Sequence, residues 1–126
     1  MPDAVPIPTI LQDVAVPMRD GIELSTDVYL PAGWDAASGV KLPTLLTRTP
    51  YGKRQPVAVG RPGMADFGAY FAAHGYAVVI QDVRGRFASA GTWRMLYDDG
   101  ADGVDTCAWI GKQTWSDGQV ALELGF

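Results

Sequence analysis

Cysteine and histidine are each present once in the 126-residue chain, as Cys107 and His74. A lone cysteine makes no internal disulfide, and one His with one Cys does not assemble a zinc site. No apolar run approaches the roughly 18 residues needed to cross a bilayer. Basic residues are the minority, ten Lys+Arg against fourteen Asp+Glu, for a formal charge of −4. That balance argues against a nucleic-acid or anionic-membrane surface. Met1–Thr9 holds Pro2, Pro6 and Pro8 but no basic residue, so it does not read as a signal peptide. The expected compartment is therefore the cytoplasm. Neither Gly-x-Gly-x-x-Gly after a strand nor Gly-x4-Gly-Lys-Ser/Thr occurs, which removes the support for nucleotide binding. Glutamate is scarce too, with Glu23 and Glu123 alone. Aspartate supplies the other acids, and it favours turns, strand ends and helix starts.

What is present fits a single soluble α/β unit: 48% of residues are hydrophobic and 19% charged. Residues 1–12 read as an amino-terminal arm and 13–126 as the folded part. Asp13–Pro17 and Ile22–Leu30 alternate in polarity around Met18-Arg19-Asp20-Gly21, where Asp-Gly supplies the positive φ of a tight reversal. Pro31 to Gly39 reads as a surface loop. Leu42 to Arg48 lacks alternation, as a strand buried on both faces does. A Gly/Pro-rich loop then runs to Gly63.

Met64–His74 reads as a helix with Met64, Phe67, Tyr70, Phe71 and His74 on its apolar stripe, ended by Gly75. Ala77–Asp82 is a continuous apolar strand with a polar end, and Arg84 to Leu96 a loop. Asp98–Gly111 is a second helix, with Ala101, Val104, Ala108 and Gly111 on one stripe and Asp98, Asp99 and Asp102 at its start. A turn at Trp115–Gly118 leads into a strand over Gln119–Leu124. A β-hairpin followed by β-α-β-α-β predicts a parallel sheet with right-handed crossovers, and ligands outside the carboxyl ends of its strands.

Four segments in this order resemble the α/β-hydrolase family of cocaine esterase, α-amino-acid ester hydrolases and Xaa-Pro dipeptidyl-peptidases. They are Val16-Pro17-Met18-Arg19-Asp20-Gly21 with Leu24 and Asp27-Val28-Tyr29; Arg48-Thr49-Pro50-Tyr51-Gly52-Lys53; Gly75 through Gly85; and Asp99-Gly100-x-Asp102 through Asp105-Thr106, Trp109-Ile110, Gln113 and Trp115-Ser116-Asp117-Gly118. The resemblance implies the amino-terminal part of an α/β-hydrolase fold with an incomplete sheet. It also implies a serine hydrolase acting on a small ester or amide or a peptide, without cofactor or metal. Family members continue into a Gly-x-Ser-Tyr nucleophile elbow, whereas this chain reads Gly118-Gln119-Val120-Ala121-Leu122-Glu123-Leu124-Gly125-Phe126. The expectation is a fragment that precedes the elbow, lacks nucleophile, base and acid, does not catalyse alone, and self-associates through its unfinished sheet. The alternative is a non-catalytic binding or regulatory domain on the same scaffold. Such a domain should show polar alternation, which Ala77–Ile80 and Leu42–Leu46 do not.

By the resemblance, Tyr51 donates its hydroxyl to the oxyanion. Its place after Pro50, at the mouth of a buried strand, suits a stiffly aimed phenol. Ser25, Ser38, Ser89 and Ser116 lie outside any Gly-x-Ser-x-Gly, and Cys107 reads as a small packed hydrophobe. His74 is expected at a helix end, against the exposed carbonyls. Asp82 is expected to pair with Arg84 or Arg86 and fix a loop. The aspartates from Asp98 to Asp105 fail the calcium-loop pattern, with Gly100 at the third position and no closing glutamate.

Overall fold

The computed structural model describes residues 6–54, 63–94 and 97–124. The Gly/Pro-rich stretch 55–62, residues 95–96, and both chain ends of the expected layout lie outside them. The strands are β1 (Thr9–Pro17), β2 (Glu23–Leu30), β3 (Leu42–Thr49), β4 (Ala77–Asp82) and β5 (Ser116–Leu124). The helices are α1 (Met64–Ala72) and α2 (Asp99–Gly111). One mixed sheet runs β1-β2-β4-β3-β5. β3 is parallel to both β4 and β5, while the β1–β2 hairpin adds antiparallel to β4 through β2.

The hairpin turns at the expected place. Gly21 has φ +86° and its N–H donates to the Met18 carbonyl at 2.9 Å. The arm is shorter than 1–12, because Thr9, Ile10 and Leu11 already pair with Leu30, Tyr29 and Val28. The register then slips between Leu11 and Val14, and Asp13 sits in that bulge at φ +54°. A bulge leaves one residue unpaired and re-aims its side chain.

The two helices cover opposite faces. α1 lies over Tyr29, Val78 and Ile80 with Met64, Phe67, Phe71 and Ala72. Gly68 rests on the Tyr29 ring, where a Cβ would come within 2.7 Å. Tyr70 and His74, expected on this stripe, point outward instead; Tyr70 is half exposed. The inward arc is set by the close approach at Gly68, which apolar spacing does not reveal.

On the other face, Val28, Leu30, Leu42, Leu46, Ala77 and Val79 pack against Ile110 and Trp115. Here the expected stripe is reversed. Ala101, Val104, Ala108 and Gly111 face solvent, and Asp102, Thr106 and Ile110 are buried. Asp102 and Thr106 turn inward because they meet polar partners. Arg84 donates to Asp102 at 2.8 and 2.9 Å, and the Thr106 hydroxyl lies 3.0 Å from Gln81 Oε1. Gln81, fully buried, also accepts from Arg48 Nε at 2.7 Å and donates to Thr26 Oγ1 at 3.0 Å. A buried amide satisfied at both ends holds β2, β3, β4 and α2 in one arrangement.

β5 is an edge strand, and Leu122 on it is 66% exposed. Among the described residues no helix is long and apolar enough to cross a membrane.

Candidate active site

The carboxyl ends of β3 and β4 lie side by side, with Thr49 opposite Asp82. The chain leaves β3 through Pro50, and Pro50, Tyr51, Lys53 and Arg54 are each tied down by hydrogen bonds. The Tyr51 N–H donates to Thr49 Oγ1 at 3.0 Å. Arg86 Nε donates to the Pro50 carbonyl at 3.0 Å, and its guanidinium stacks 4.8 Å from the Trp93 ring. Gly52 supplies the reversal at φ +99°. The Lys53 N–H donates to Asp82 Oδ1 at 2.8 Å, and its Nζ reaches Asp82 Oδ2 at 3.3 Å and Asp13 Oδ1 at 2.8 Å. Arg54 holds Asp27 through two bonds, 2.8 and 2.9 Å long. In the middle of this bracing, the Tyr51 side chain is 60% exposed to solvent.

Tyr51 thus stands outside the carboxyl end of β3, which is parallel to both its neighbours, on a loop fixed at both sides. Beside it is a small open cavity lined by Gly52, Lys53, Arg54, Asp82, Phe87 and Ala88. Phe87 projects into solvent from a backbone at φ +50°, a strained conformation for an aromatic residue.

Asp82 does form a loop-fixing ion pair, but its cation is Lys53 and not Arg84 or Arg86. Arg84 turns away to Asp20 and Asp102, and Arg86 to a carbonyl. The alignment of the two strand ends brings residue 53 to residue 82, and local spacing carries no sign of it. Asp27 belongs to the stretch that carries the resemblance, but its pairing with Arg54 and the place of Asp13 in a bulge are not visible in the sequence. In the sequence Asp13 reads as the first residue of the strand, whereas the structure sets it inside β1.

The remaining candidates have structural duties. Ser25 is buried with its hydroxyl on Asp13 Oδ1 at 3.2 Å, and the Ser89 hydroxyl bonds the Asp82 carbonyl. Ser116 accepts the Gly118 N–H at 3.0 Å, and the Ser38 hydroxyl donates to the Asp35 carbonyl at 2.6 Å. Cys107 packs at the edge of the α2-side core, and burial pushes its thiol pKa up, away from thiolate chemistry. His74 Nδ1 lies 2.7 Å from the Tyr70 carbonyl at the end of α1, as expected. It precedes the start of β4, whereas Tyr51 follows the far end of β3, so about 15 Å of strand separates them. Asp98, Asp99, Asp102 and Asp105 meet Arg94, Arg48, Arg84 and Arg19, and Arg84 also comes within 4.0 Å of Asp98.

The ion pairs of Asp13, Asp20 and Asp105 shape the acid response. Lys53 and Arg54 hold the Asp13 carboxyl well below the usual carboxylate range, Arg84 does so for Asp20, and Arg19 for Asp105. A carboxylate whose pKa is lower folded than unfolded adds stability above the unfolded value, near 4, and loses it as pH falls through the folded value. The melting temperature is expected to hold from pH 7 to 5 and to fall below pH 4. A D13N/D20N/D105N variant should flatten that acid limb; a wild-type melt unchanged down to pH 2 would contradict the assignment.

Compared with known families, residues 20–123 match the X-Pro dipeptidyl-peptidase (S15 family). The cocaine esterase of Rhodococcus sp. (strain MB1 Bresler) is 44% identical over 114 residues, which is 90% of this chain and 19% of that protein. Among solved structures, an α-amino acid ester hydrolase superposes with a TM-score of 0.70 at 32% identity, over 97% of this chain and 22% of its own. A CocE/NonD family hydrolase from Staphylococcus aureus shares the fold, with a TM-score of 0.78 at 22% identity over 92% of this chain and 23% of its own. The five-stranded sheet matches the amino-terminal α/β-hydrolase-like part of such neighbours, and the chain spans about a fifth of their length. With the family match running from the hairpin turn nearly to the end of β5, the chain belongs to the X-Pro dipeptidyl-peptidase (S15) family.

Proposed function

We propose that this chain supplies the oxyanion-binding part of a serine hydrolase that cleaves esters or amides. The observation that carries the reading is Tyr51: an exposed phenol on a braced loop, outside the carboxyl end of a buried parallel strand. When a serine attacks a carbonyl, negative charge gathers on the oxygen, and a donor already aimed there lowers the barrier without reorganising. A phenol suits the task, because its O–H donates and its ring holds the donor clear of the backbone. The substrate is a small ester or amide, or a peptide.

Alone, the chain is read as catalytically silent. Each of its four serines is engaged in a turn, a strand or a loop bond, and His74 lies at the opposite end of the sheet from Tyr51. The test is a hybrid in which this chain replaces the matching 19% of the Rhodococcus cocaine esterase. The hybrid is expected to hydrolyse p-nitrophenyl acetate in a manner blocked by a serine-directed phosphonate, and the 126-residue chain is not. A folded but inert hybrid, or turnover by the chain alone, would refute the reading.

Self-association is expected through β5, whose outer edge offers unpaired backbone groups beside the exposed Leu122. Gel filtration should show a dimer or larger species, and Leu122→Lys should shift it toward monomer. A wild-type chain that elutes as a monomer at high micromolar concentration would sink this expectation.

A further inference from the structure

Lys53 and Asp82 are 4% and 1% exposed, a charge pair removed from water within two residues of Tyr51. Burying two charges is a poor source of stability, because their desolvation offsets their attraction. What such a pair does well is hold one arrangement against its alternatives, and its geometry here serves that end. One carboxylate accepts both ends of Lys53: the backbone N–H at 2.8 Å on Oδ1 and the ammonium at 3.3 Å on Oδ2. The ammonium is braced again by Asp13, in the β1 bulge, at 2.8 Å. The Asp82 Oδ2 atom also accepts the Ala88 N–H at 3.4 Å, and the Asp82 carbonyl accepts the Ser89 hydroxyl. The residue after Tyr51 is a glycine at positive φ, a joint that would swing freely without an anchor beyond it. On the other side, Pro50 is stiff and its carbonyl is held by Arg86.

We infer that Lys53 is a positioning residue: locked between Asp82 and Asp13, it anchors the Gly52 joint and so aims the Tyr51 hydroxyl. The inference rests on the oxyanion reading of Tyr51 and assigns a purpose to a buried ion pair which that chemistry does not itself use. In this assignment Lys53 acts through its bonds to Asp82 and Asp13 and not on the reacting atoms. Its loss should lower turnover and leave substrate binding alone.

Lys53→Met by itself strands the Asp82 carboxylate, so the decisive variant is K53M/D82N, which removes both charges together. In the esterase hybrid, K53M/D82N is expected to lower kcat about 10- to 100-fold, the scale of an ångström-level misplacement, with KM within about twofold. Its melting temperature should stay within a few degrees of the parent. Unchanged kcat in a stable double variant would make the pair merely structural and overturn the inference.

A second measurement needs no hydrolysis and uses the 126-residue chain as it is. Amide hydrogen exchange at residues 51 and 53 should be slower than in an unstructured peptide. It should accelerate at least tenfold in K53M/D82N, while Val78, Val79 and Ile80 keep their protection. Unprotected amides at 51 and 53 in the wild type, or protection unaltered by the double substitution, would overturn the inference. An inert hybrid with the exchange result intact would count against the hydrolase reading alone.

Discussion

Tyr51→Phe in the esterase hybrid is expected to lower kcat by about 10²–10³-fold, as loss of one oxyanion donor does. The substitution deletes one oxygen from a side chain that is 60% exposed, so it creates no cavity and strands no buried partner. The Tyr51 contact that shapes the loop runs through its backbone N–H to Thr49 Oγ1 and survives the change. Stability should therefore move by less than about 0.5 kcal/mol, which is ordinary for a surface position. KM should change little, because the neutral carbonyl of a bound ester gains much less from the phenol than the oxyanion does. Steady-state rates with p-nitrophenyl acetate decide the matter. A kcat within threefold of the parent would mean that the tyrosine is packing or ornament, and that the oxyanion is held elsewhere.

Much of the fold was legible because local chemistry dictated it. Asp20-Gly21 admits a reversal that few other pairs do, and the hairpin forms there. Ala77–Asp82 is an apolar run too short for a helix and ends in a carboxylate, and it forms a strand over that span. Tyr51 was found through its sequence surroundings, and the structure sets it outside a parallel strand on a braced loop. Its role remains the proposal above.

Long-range polar pairing was not legible. α2 buries Asp102 and Thr106 and exposes Val104, the reverse of what hydrophobicity implies, because Arg84 and Gln81 wait on the sheet side. The partner of Asp82 stands 29 residues away, beyond the arginines that local spacing offers it. Asp13 gains its importance from a bulge that shifts the register of β1, and a bulge leaves little trace in a pattern read two residues at a time. In each case burial of a charge or an amide depends on a partner supplied by another element. A single stretch of sequence holds half of that information.

The same dependence makes Gly85, in the turn that supports the site, a vulnerable glycine. It sits at φ +74°, and a Cβ built there would lie 2.1 Å from the Trp93 nitrogen and 2.5 Å from the Thr92 carbonyl carbon. Both are backbone atoms, so no rotamer change relieves the clash. The surrounding turn has little room to give. The Gly85 N–H donates to the Ala90 carbonyl at 2.9 Å, and the Ala90 N–H to the Glu23 carbonyl at 3.0 Å. Gly85→Ala is expected to destabilise the fold by about 2–4 kcal/mol, from left-handed strain plus the overlap. Gly33→Ala isolates the first contribution, because Gly33 has φ +72° with nothing within 4 Å of the added carbon. That variant should lose about 1 kcal/mol. Urea unfolding followed by tryptophan fluorescence compares the two directly. If Gly85→Ala costs no more than Gly33→Ala, the 83–93 turn is not packed against its own backbone as described, and the support it gives Pro50 through Arg86 falls with it.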